Sequence, residues 1–402
     1  MPKNKSIYLD HSATTPVDKR VLKAMLPYFF GKFGNASSLH SFGQAAANAV
    51  SEAREKVAKF LSSSAEEVIF TSGATEADNL AIFGLVNALR KNNNGKLHAI
   101  TSAIEHPAIL EPCKRLESQG VEVTYLPVKT NGLIDLAVFK KAIKDETALV
   151  SIMYVNSEVG IIQPIAEMGK IIAEVNRARA EQGNKNKIYF HTDAVQALNF
   201  LNCDVKYLGV DMLSLSGHKI YGPKGIGSLF VKTGTPLQGA QLGGHHEKNL
   251  RSGTLNVPGI VGLGEAIKNC GREREKNNQK ISKLRNEFVA SVKRLVPRAV
   301  VNTDIKNSTP SHANISFIGA EGESILIALD LEGVAVSTGS ACASTSLQAS
   351  PVLLAMGIRE EDSHSTIRFT FGKDNTAAEV KKVLKVLPPI IKRFRRMAPE
   401  LE

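Results

Sequence analysis

The chain has 402 residues, of which 43% are hydrophobic and 22% are charged, so it is a globular protein long enough for one large domain and a smaller one. No segment reaches the roughly 18 uninterrupted apolar residues that a membrane-spanning helix needs, which argues against an integral membrane protein. The N-terminal segment Met1–Asp10 is polar and lacks the apolar region of a signal peptide, so we expect a cytoplasmic location.

The net charge is +11, and its excess of basic residues is most marked near the C-terminus, where they recur along a helical pattern with one interleaved aromatic residue, Phe394. These residues are Lys381, Lys382, Lys385, Lys392, Arg393, Arg395 and Arg396. The pattern is typical of a solvated basic face, and it also suits an acidic protein partner or RNA. Because a single aromatic residue does not provide a row of stacking side chains, we expect no direct binding of nucleic acid.

The four cysteines are far apart in sequence and form no Cys-x-x-Cys pair: Cys113, Cys203, Cys270 and Cys342. This spacing argues against a disulfide framework and against a cysteine-based zinc site. For most of them we expect the role of a small buried apolar side chain.

The first predicted elements are helices. Thr15 followed by Pro16 is typical of an N-cap and a first helical residue, and a second helix is expected from about Ser41 to Leu61. From there onward, strands alternate with helical segments, which indicates an α/β fold with a mostly parallel, covered sheet of seven strands. The predicted strands are Glu67–Thr71, His98–Thr101, Glu122–Pro127, Leu149–Val155, Ile188–Thr192, Met212–Ser214 and Ile226–Val231.

The pattern changes after Gly264. Apolar residues at helical spacing predict a long helix that includes Ile281 and Leu295 and ends at Pro297. The strands Ala313–Phe317, Val334–Ser337 and Thr366–Phe371 and a last helix then complete a smaller α+β unit. We therefore expect a large domain over residues 17–263, and a small domain formed by residues 1–16 together with residues 264–402.

Polar residues follow the predicted strands of the large domain. In open α/β sheets, ligands bind beyond the carboxyl ends of the strands. The residues at these positions are Thr71-Ser-Gly-Ala-Thr-Glu76, His106, Asn156, Asp193, Gln196 and Ser216-Gly-His-Lys219. Taken singly, each has an ordinary structural explanation, such as a helix cap or a surface lysine. Together they provide a glycine turn at a helix start for an anion, a histidine, a carboxylate and a lysine.

Pyridoxal phosphate requires this combination of groups: an anion cradle, a lysine for a Schiff base, and a carboxylate beside its pyridine nitrogen. Asp193 suits the pyridine nitrogen, and His106 suits stacking on the ring. Lys219 is placed to act as a base at the Cα atom of a substrate.

These segments closely resemble the cysteine desulfurases of the IscS/NifS type, within the fold-type I (class V aminotransferase-like) enzymes that use pyridoxal 5′-phosphate. The matching motifs are Tyr8–Pro16, Gly34–Ser38, Thr71–Glu76, Glu105–His106, Asn156–Gly160, His191–Gln196, Ser216–Lys219, Arg251–Thr254, Ser340–Cys342 and Ile367–Phe369. They extend almost from end to end of the chain and keep the family's order.

The resemblance implies a role for each matching residue. Lys219 would carry the Schiff base, with the cofactor's phosphate held by Ala74, Thr75, Ser216 and His218, and by Thr254 from the partner subunit of a homodimer. Asp193 would pair with the pyridine nitrogen, Gln196 would bond the phenolic oxygen, and His106 would stack on the ring. Asn156, next to the cofactor, and Arg368 would bind the substrate's carboxylate, a two-oxygen target that suits the arginine fork.

Cys342 distinguishes this interpretation from other enzymes of the fold. It lies in the small-residue, glycine-containing stretch Ser337–Leu347, which is typical of a mobile loop rather than of a buried core segment. The resemblance implies that Cys342 takes sulfur from L-cysteine as a persulfide, that alanine is released, and that a sulfur acceptor such as an iron–sulfur scaffold receives the sulfur. Cys342 would then be a candidate transient ligand of a shared cluster, and we assign no resident metal site.

Two departures from the family pattern and two alternatives remain. Ala36 stands where the family has proline, and His245 stands where it has glycine, so the turn before Arg251 is expected to differ. A selenocysteine lyase or an aminotransferase on the same fold is one alternative, and transamination has no need of a mobile thiol such as Cys342. A basic RNA- or protein-binding module with a vestigial cofactor site is the other, and the presence of Lys219 and Asp193 argues against it.

Overall fold

The computed structural model describes residues 6–92, 96–184, 186–338 and 348–397 of the chain. Within these ranges, no helix is long and apolar enough to cross a membrane. Cys342 lies outside the described residues.

The strands are β1 (Ile7–Tyr8), β2 (Val68–Thr71), β3 (His98–Ser102), β4 (Glu122–Leu126), β5 (Thr147–Ser151), β6 (Tyr189–Asp193), β7 (Met212–Ser216), β8 (Gly227–Val231), β9 (Ala299–Val301), β10 (His312–Phe317), β11 (Val334–Ala335), β12 (Ser337–Thr338) and β13 (Thr366–Thr370). The α-helices are α1 (Lys19–Met25), α2 (Ser41–Leu61), α3 (Ala74–Asn92), α4 (Pro107–Glu117), α5 (Leu136–Ala142), α6 (Ile165–Glu181), α7 (Val205–Leu208), α8 (Val257–Leu295), α9 (Gly322–Leu331), α10 (Pro351–Ala355), α11 (Glu360–His364) and α12 (Ala377–Met397).

The large sheet has seven strands in the order β2-β8-β7-β6-β5-β3-β4. All neighbouring pairs are parallel except those of β8, which is antiparallel to β2 and to β7. Most strands of this sheet are buried over nearly their whole length because successive side chains enter different cores on its two faces. Val150 belongs to one buried cluster and Leu149 to the other, for example. The prediction of an α/β fold with a mostly parallel seven-stranded sheet is confirmed.

A second, antiparallel sheet has the order β12-β13-β10-β9 and carries its own buried apolar cluster. Helix α8 joins the two units over its 39 residues. Its first half, including Ile260, contributes to the core under the large sheet, and its second half, including Phe288, contributes to the core of the small sheet. These separate cores support the predicted division at residue 263, which lies inside α8, and we propose that the two domains share this helix.

Three predicted elements differ from the structure for physical reasons. Thr15 is not a helix N-cap, since α1 starts at Lys19 with Asp18 as its cap, and the Thr15 hydroxyl instead donates to the carbonyl of His218 at 2.8 Å. The predicted strand Val334–Ser337 is two strands, because β11 pairs with β1 while β12 pairs with β13. The long helix starts at Val257, well before the predicted part around Ile281.

The glycine-rich first half of α8 explains the missed helix start. Gly259, Gly262 and Gly264 lower the intrinsic helix propensity of this segment, so periodicity alone does not reveal a helix. Tertiary packing requires one of them: a Cβ atom at Gly264 would lie 2.9 Å from the Cα atom of Ala53 in α2. The close approach of two helices therefore decides the structure here.

Candidate active site

The carboxyl ends of β2 to β7 meet at one edge of the large sheet, and Lys219 lies there. β7 ends at Ser216, and a short 3₁₀ turn, Gly217–Lys219, follows it directly. The Lys219 Nζ atom donates to two backbone carbonyls of the N-terminal segment, at 2.5 Å to Ser12 and 2.7 Å to Ala13. Two carbonyl acceptors hold the amine at a defined position beside the sheet.

The N-terminal segment Asp10–Thr15 connects the two sheets at this point. The Ser12 carbonyl also accepts from Gln196 Nε2 at 2.9 Å, and Ser12 Oγ donates to the carbonyl of Ser157 at 2.7 Å. On the small-sheet side, the Ser12 N–H donates to Thr370 Oγ1 at 2.9 Å. One short segment thus contacts the lysine, the loop after β5 and the small sheet.

Asp193 lies at the end of β6 and is 8% exposed. Its Oδ1 atom accepts from the Val195 N–H at 2.9 Å. Burial raises the pKa of the Asp193 carboxyl, and the charges of His106 and Lys219 act in the opposite direction. A further positive charge beside this buried carboxyl would favour its ionised form.

His106 caps the N-terminus of α4, accepting from the Ala108 N–H at 3.1 Å through Nδ1. It lines one open cavity together with Thr75 from the start of α3. The first N–H groups of α3, at Ala74 and Thr75, have no acceptor within their own helix and suit an anion. Gly227 lets this turn lie close to the sheet, since a Cβ atom there would be 2.8 Å from the Cα atom of Gly73.

Ser216 directly precedes the turn Gly217–Lys219, and His218 lies inside it. Ser216 is buried, and His218 Nδ1 lies 3.1 Å from Thr14 Oγ1. Burial lowers the pKa of His218 to about 4, and the nearby Lys219 and Lys224 charges contribute in the same direction. His218 is therefore a neutral hydrogen-bonding group at neutral pH.

Arg368 approaches the site from β13 of the small sheet. Its side chain is 4% exposed, and its Nη2 atom lies 2.9 Å from Asp10 Oδ1. Its Nη1 atom donates to the carbonyl of Ser157 at 3.1 Å, while its buried Nε atom has no partner among the described residues. Arg368 thus lies beside the loop that also contains Asn156.

The amide of Asn156 is used to shape that loop. Its Nδ2 atom donates to the carbonyl of Ile104 at 3.0 Å, and its Oδ1 atom accepts from the N–H groups of Glu158 and Val159. The predicted role of Asn156 in binding a carboxylate therefore remains a prediction, beside an observed role in holding the loop.

The loop Arg251–Thr254 lies next to the start of α3. Arg251 Nε is 2.9 Å from Glu76 Oε1, and Thr254 itself is exposed. In the turn before this loop, His245 Nδ1 lies 2.6 Å from Asn249 Oδ1, and Asn249 has a φ of 64°. Glu247, in the same turn, is buried and ion-paired with Arg54 at 2.5 Å.

Three of the four cysteines are unreactive core residues, as predicted. Cys113, Cys203 and Cys270 are free and buried. Burial raises the pKa of each of these thiols to about 12. Because the thiolate is the nucleophile, none of the three is suited to attack at neutral pH.

Asp10, Ser12 and Glu158 lie inside the matched motifs but were not predicted as site residues. A row of buried polar side chains on the α3 face of the sheet was not predicted either. There, His191 lies between Ser151 Oγ and Ser214 Oγ, each at 2.9 Å, and its Nε2 atom is 3.6 Å from Asp78 Oδ1. Polar residues inside otherwise apolar strands are the signal that points to such a row.

Comparison with known proteins agrees with this geometry. The family model described as aminotransferase class-V matches residues 7–383. The chain is 46% identical to the cysteine desulfurase IscS of Dictyoglomus turgidum (strain DSM 6724 / Z-1310), over 98% of this chain and 97% of the relative.

Solved structures give the same result. A NifS-like protein superposes with a TM-score of 0.88 at 35% identity, covering 97% of this chain and all (100%) of that one. The structure described as SspA in complex with cysteine has a TM-score of 0.78 at 36% identity, covering 92% and 100% of the two chains. The chain therefore belongs to the aminotransferase class-V family, and within it to the IscS-type cysteine desulfurases.

Proposed function

We propose that this protein is a cysteine desulfurase, which removes sulfur from L-cysteine to give L-alanine and a persulfide on Cys342. The observation that carries the proposal is the convergence of Lys219 and Arg368 on the segment Asp10–Thr15, because a lysine suits a base at the Cα atom of an α-amino acid and a buried guanidinium suits its carboxylate. The nearly full-length identity to IscS supports it.

The family depends on pyridoxal 5′-phosphate, and the residues around Lys219 fit this cofactor. The buried Asp193 carboxyl matches a protonated ring nitrogen, and the neutral His218 and the open N–H groups of α3 match a phosphate. Ala74, Thr75, Ser216 and His218 would hold the phosphate, Gln196 the phenolic oxygen and His106 the ring face. When bound, the cofactor supplies an electron sink for the electron pair released at the substrate's Cα atom.

The chain's own groups then have distinct tasks. Lys219 would take the proton from the substrate's Cα atom and later return one. Arg368, with Asn156, orients the carboxylate. The thiolate of Cys342 attacks the substrate's sulfur, the C–S bond breaks, and a persulfide forms on Cys342 while the three-carbon product leaves as alanine.

The proposal predicts one alanine for each sulfur atom removed from L-cysteine by the purified protein with its cofactor. With dithiothreitol as the sulfur acceptor, alanine and sulfide are expected to form in equal amounts, and no keto acid is expected. Amino-acid chromatography and a sulfide assay measure both products. Formation of a keto acid with transfer of the amino group would instead establish the aminotransferase alternative, and turnover of L-selenocysteine alone would establish the lyase.

We further propose that the protein acts as a homodimer in which Thr254 completes the phosphate site of the partner subunit. An exposed aromatic surface supports this, formed by Phe29, Phe30, Phe33, Leu39 and Phe42, all at least 50% exposed. Exposed apolar surfaces of this kind mark protein interfaces. His246 connects the two regions, since it lies 3.2 Å from Ser37 Oγ and accepts from the Gly253 N–H at 3.3 Å.

Mixing two inactive variants tests the shared site. Lys219→Ala and Thr254→Ala place their lesions in the same site of a mixed dimer, so its other site carries neither lesion. Subunit exchange is expected to restore activity to about a quarter of the wild-type sites at equal mixing. Light scattering gives the oligomeric state, and each variant mixed with itself is the control. A fully active monomer would contradict the shared site.

A sulfur acceptor such as an iron–sulfur scaffold is the proposed protein partner. The basic helix α12 offers a surface for it, because Val383, Leu387 and Ile391 are buried while the lysines and arginines of the same helix lie mostly outside the core. The cytoplasmic location stays a prediction from the sequence.

A further inference from the structure

Arg368 is ion-paired with one carboxyl group, and a second buried carboxyl lies in the neighbouring loop. Asp10 Oδ1 is 2.9 Å from the Arg368 Nη2 atom. The second carboxyl belongs to Glu158, which follows Ser157, whose carbonyl accepts from Arg368 Nη1 at 3.1 Å. Among the described residues Glu158 forms no ion pair with Arg368, but the Arg368 charge acts on its carboxyl. Arg368 is 3% exposed and Glu158 is 9% exposed, so water screens this cluster weakly.

The charges of this cluster do not balance if both carboxyls are ionised and a substrate carboxylate is added. One guanidinium would then face three negative charges inside the protein, and the substrate carboxylate would be repelled by the two carboxylates already there. A neutral Glu158 removes this conflict, since Asp10 alone then shares the guanidinium with the substrate.

The surroundings of Glu158 favour the neutral form below neutral pH. Burial raises the pKa of Glu158 to about 7, although the Ser350 hydroxyl and the charges of Arg368 and His106 oppose this shift. Ser350 Oγ donates to Glu158 Oε2 at 2.5 Å and is the N-cap of α10, so the carboxyl is held in place. His312 on β10 lies next to Gly160 and stays neutral, because burial lowers its pKa to about 3.

We propose that Glu158 is a positioning residue which, as a neutral acid beside Arg368, keeps the guanidinium available for the substrate's carboxylate and sets the pH range of substrate binding. This inference rests on the proposed function, in which Arg368 binds that carboxylate. Binding of an α-amino acid should therefore weaken as the pH rises through the range in which Glu158 ionises.

Calorimetric titration of the intact holoenzyme with L-alanine, the proposed product, tests this. Between about pH 6 and about pH 8.5, we expect the Kd of L-alanine to rise roughly 10-fold more for the wild type than for Glu158→Gln. The amide of the variant cannot ionise. L-alaninamide, which lacks the carboxylate, should bind the two proteins with the same pH dependence. Glu360→Gln, which removes an exposed carboxyl (74% side-chain exposure), is the matched control and should behave as the wild type.

A second measurement detects the protonation of Glu158 through the stability of the protein, without any ligand. A carboxyl whose folded-state pKa is raised stabilises the native state increasingly as the pH falls from above that value toward its unfolded value near 4.5. The difference between the melting temperature of the wild type and that of Glu158→Gln should therefore shift in favour of the wild type as the pH falls from about 8 to about 5. If Glu158→Gln does not fold, Ser350→Ala serves instead, because loss of its hydrogen bond should move the binding transition to higher pH.

The outcomes separate the two proposals. If L-alanine binds the wild type and Glu158→Gln with one common pH dependence, Glu158 does not set the charge of the site and the inference is overturned. If L-alanine does not bind the wild-type holoenzyme at any pH, the proposed substrate site itself is wrong, and the inference is lost with it.

Discussion

Replacing Lys219 with alanine is expected to abolish the formation of alanine from L-cysteine, with a loss of roughly 10³-fold or more, since both the covalent attachment of the cofactor and the base at Cα are removed. The purified variant should also lose the visible absorbance band of a lysine-bound cofactor. The chain has many other lysines, but Lys219 is the one that follows β7 and donates to the carbonyls of Ser12 and Ala13.

Two further variants distinguish chemistry from structure. Lys219→Arg keeps a positive side chain that can donate to the same carbonyls but cannot form a Schiff base, so it should fold like the wild type and remain inactive. Lys206→Ala removes an exposed lysine on α7 and should leave the absorbance and the activity intact. An unchanged visible spectrum in Lys219→Ala would refute the assignment of the cofactor lysine.

Replacing Cys342 with serine is expected to lower alanine release by orders of magnitude while cofactor binding is retained. Serine has nearly the same volume, but its hydroxyl is a far poorer nucleophile toward sulfur at neutral pH, where a few per cent of a free thiol is already ionised. The other cysteines do not replace it, because Cys113, Cys203 and Cys270 are buried with a pKa of about 12.

Mass spectrometry after one turnover without a reductant provides the direct measurement. The wild type should gain one sulfur atom on the peptide that contains Cys342, and Cys342→Ser should gain none. Cys270→Ala is the matched control, since it removes a buried thiol and should retain the adduct. Alanine release by Cys342→Ser at nearly the wild-type rate would contradict the desulfurase mechanism and favour a lyase or an aminotransferase.

The local pattern of the sequence was sufficient for most of the fold. Apolar runs of five or so residues with helical segments between them predict the parallel sheet, since crossover connections leave few other arrangements. The ends of several elements were not predictable in this way. The strand ending at Ser151 was expected to continue to Val155, and β9 was missed, because pairing with a distant strand decides where such short segments enter a sheet.

The sequence by itself was sufficient to predict the chemical groups of the site: Lys219, Asp193, His106 and Arg368 were predicted from the motifs that contain them. The tertiary structure alone decided what surrounds them. Asp10 and Glu158 are 148 residues apart (158 − 10), yet Asp10 is ion-paired with Arg368 and the residue before Glu158 accepts a hydrogen bond from it, which no local pattern reveals. Burial and charge at such a site depend on which distant segments meet there. These two quantities set the pKa of Glu158 and therefore the net charge of the groups around Arg368.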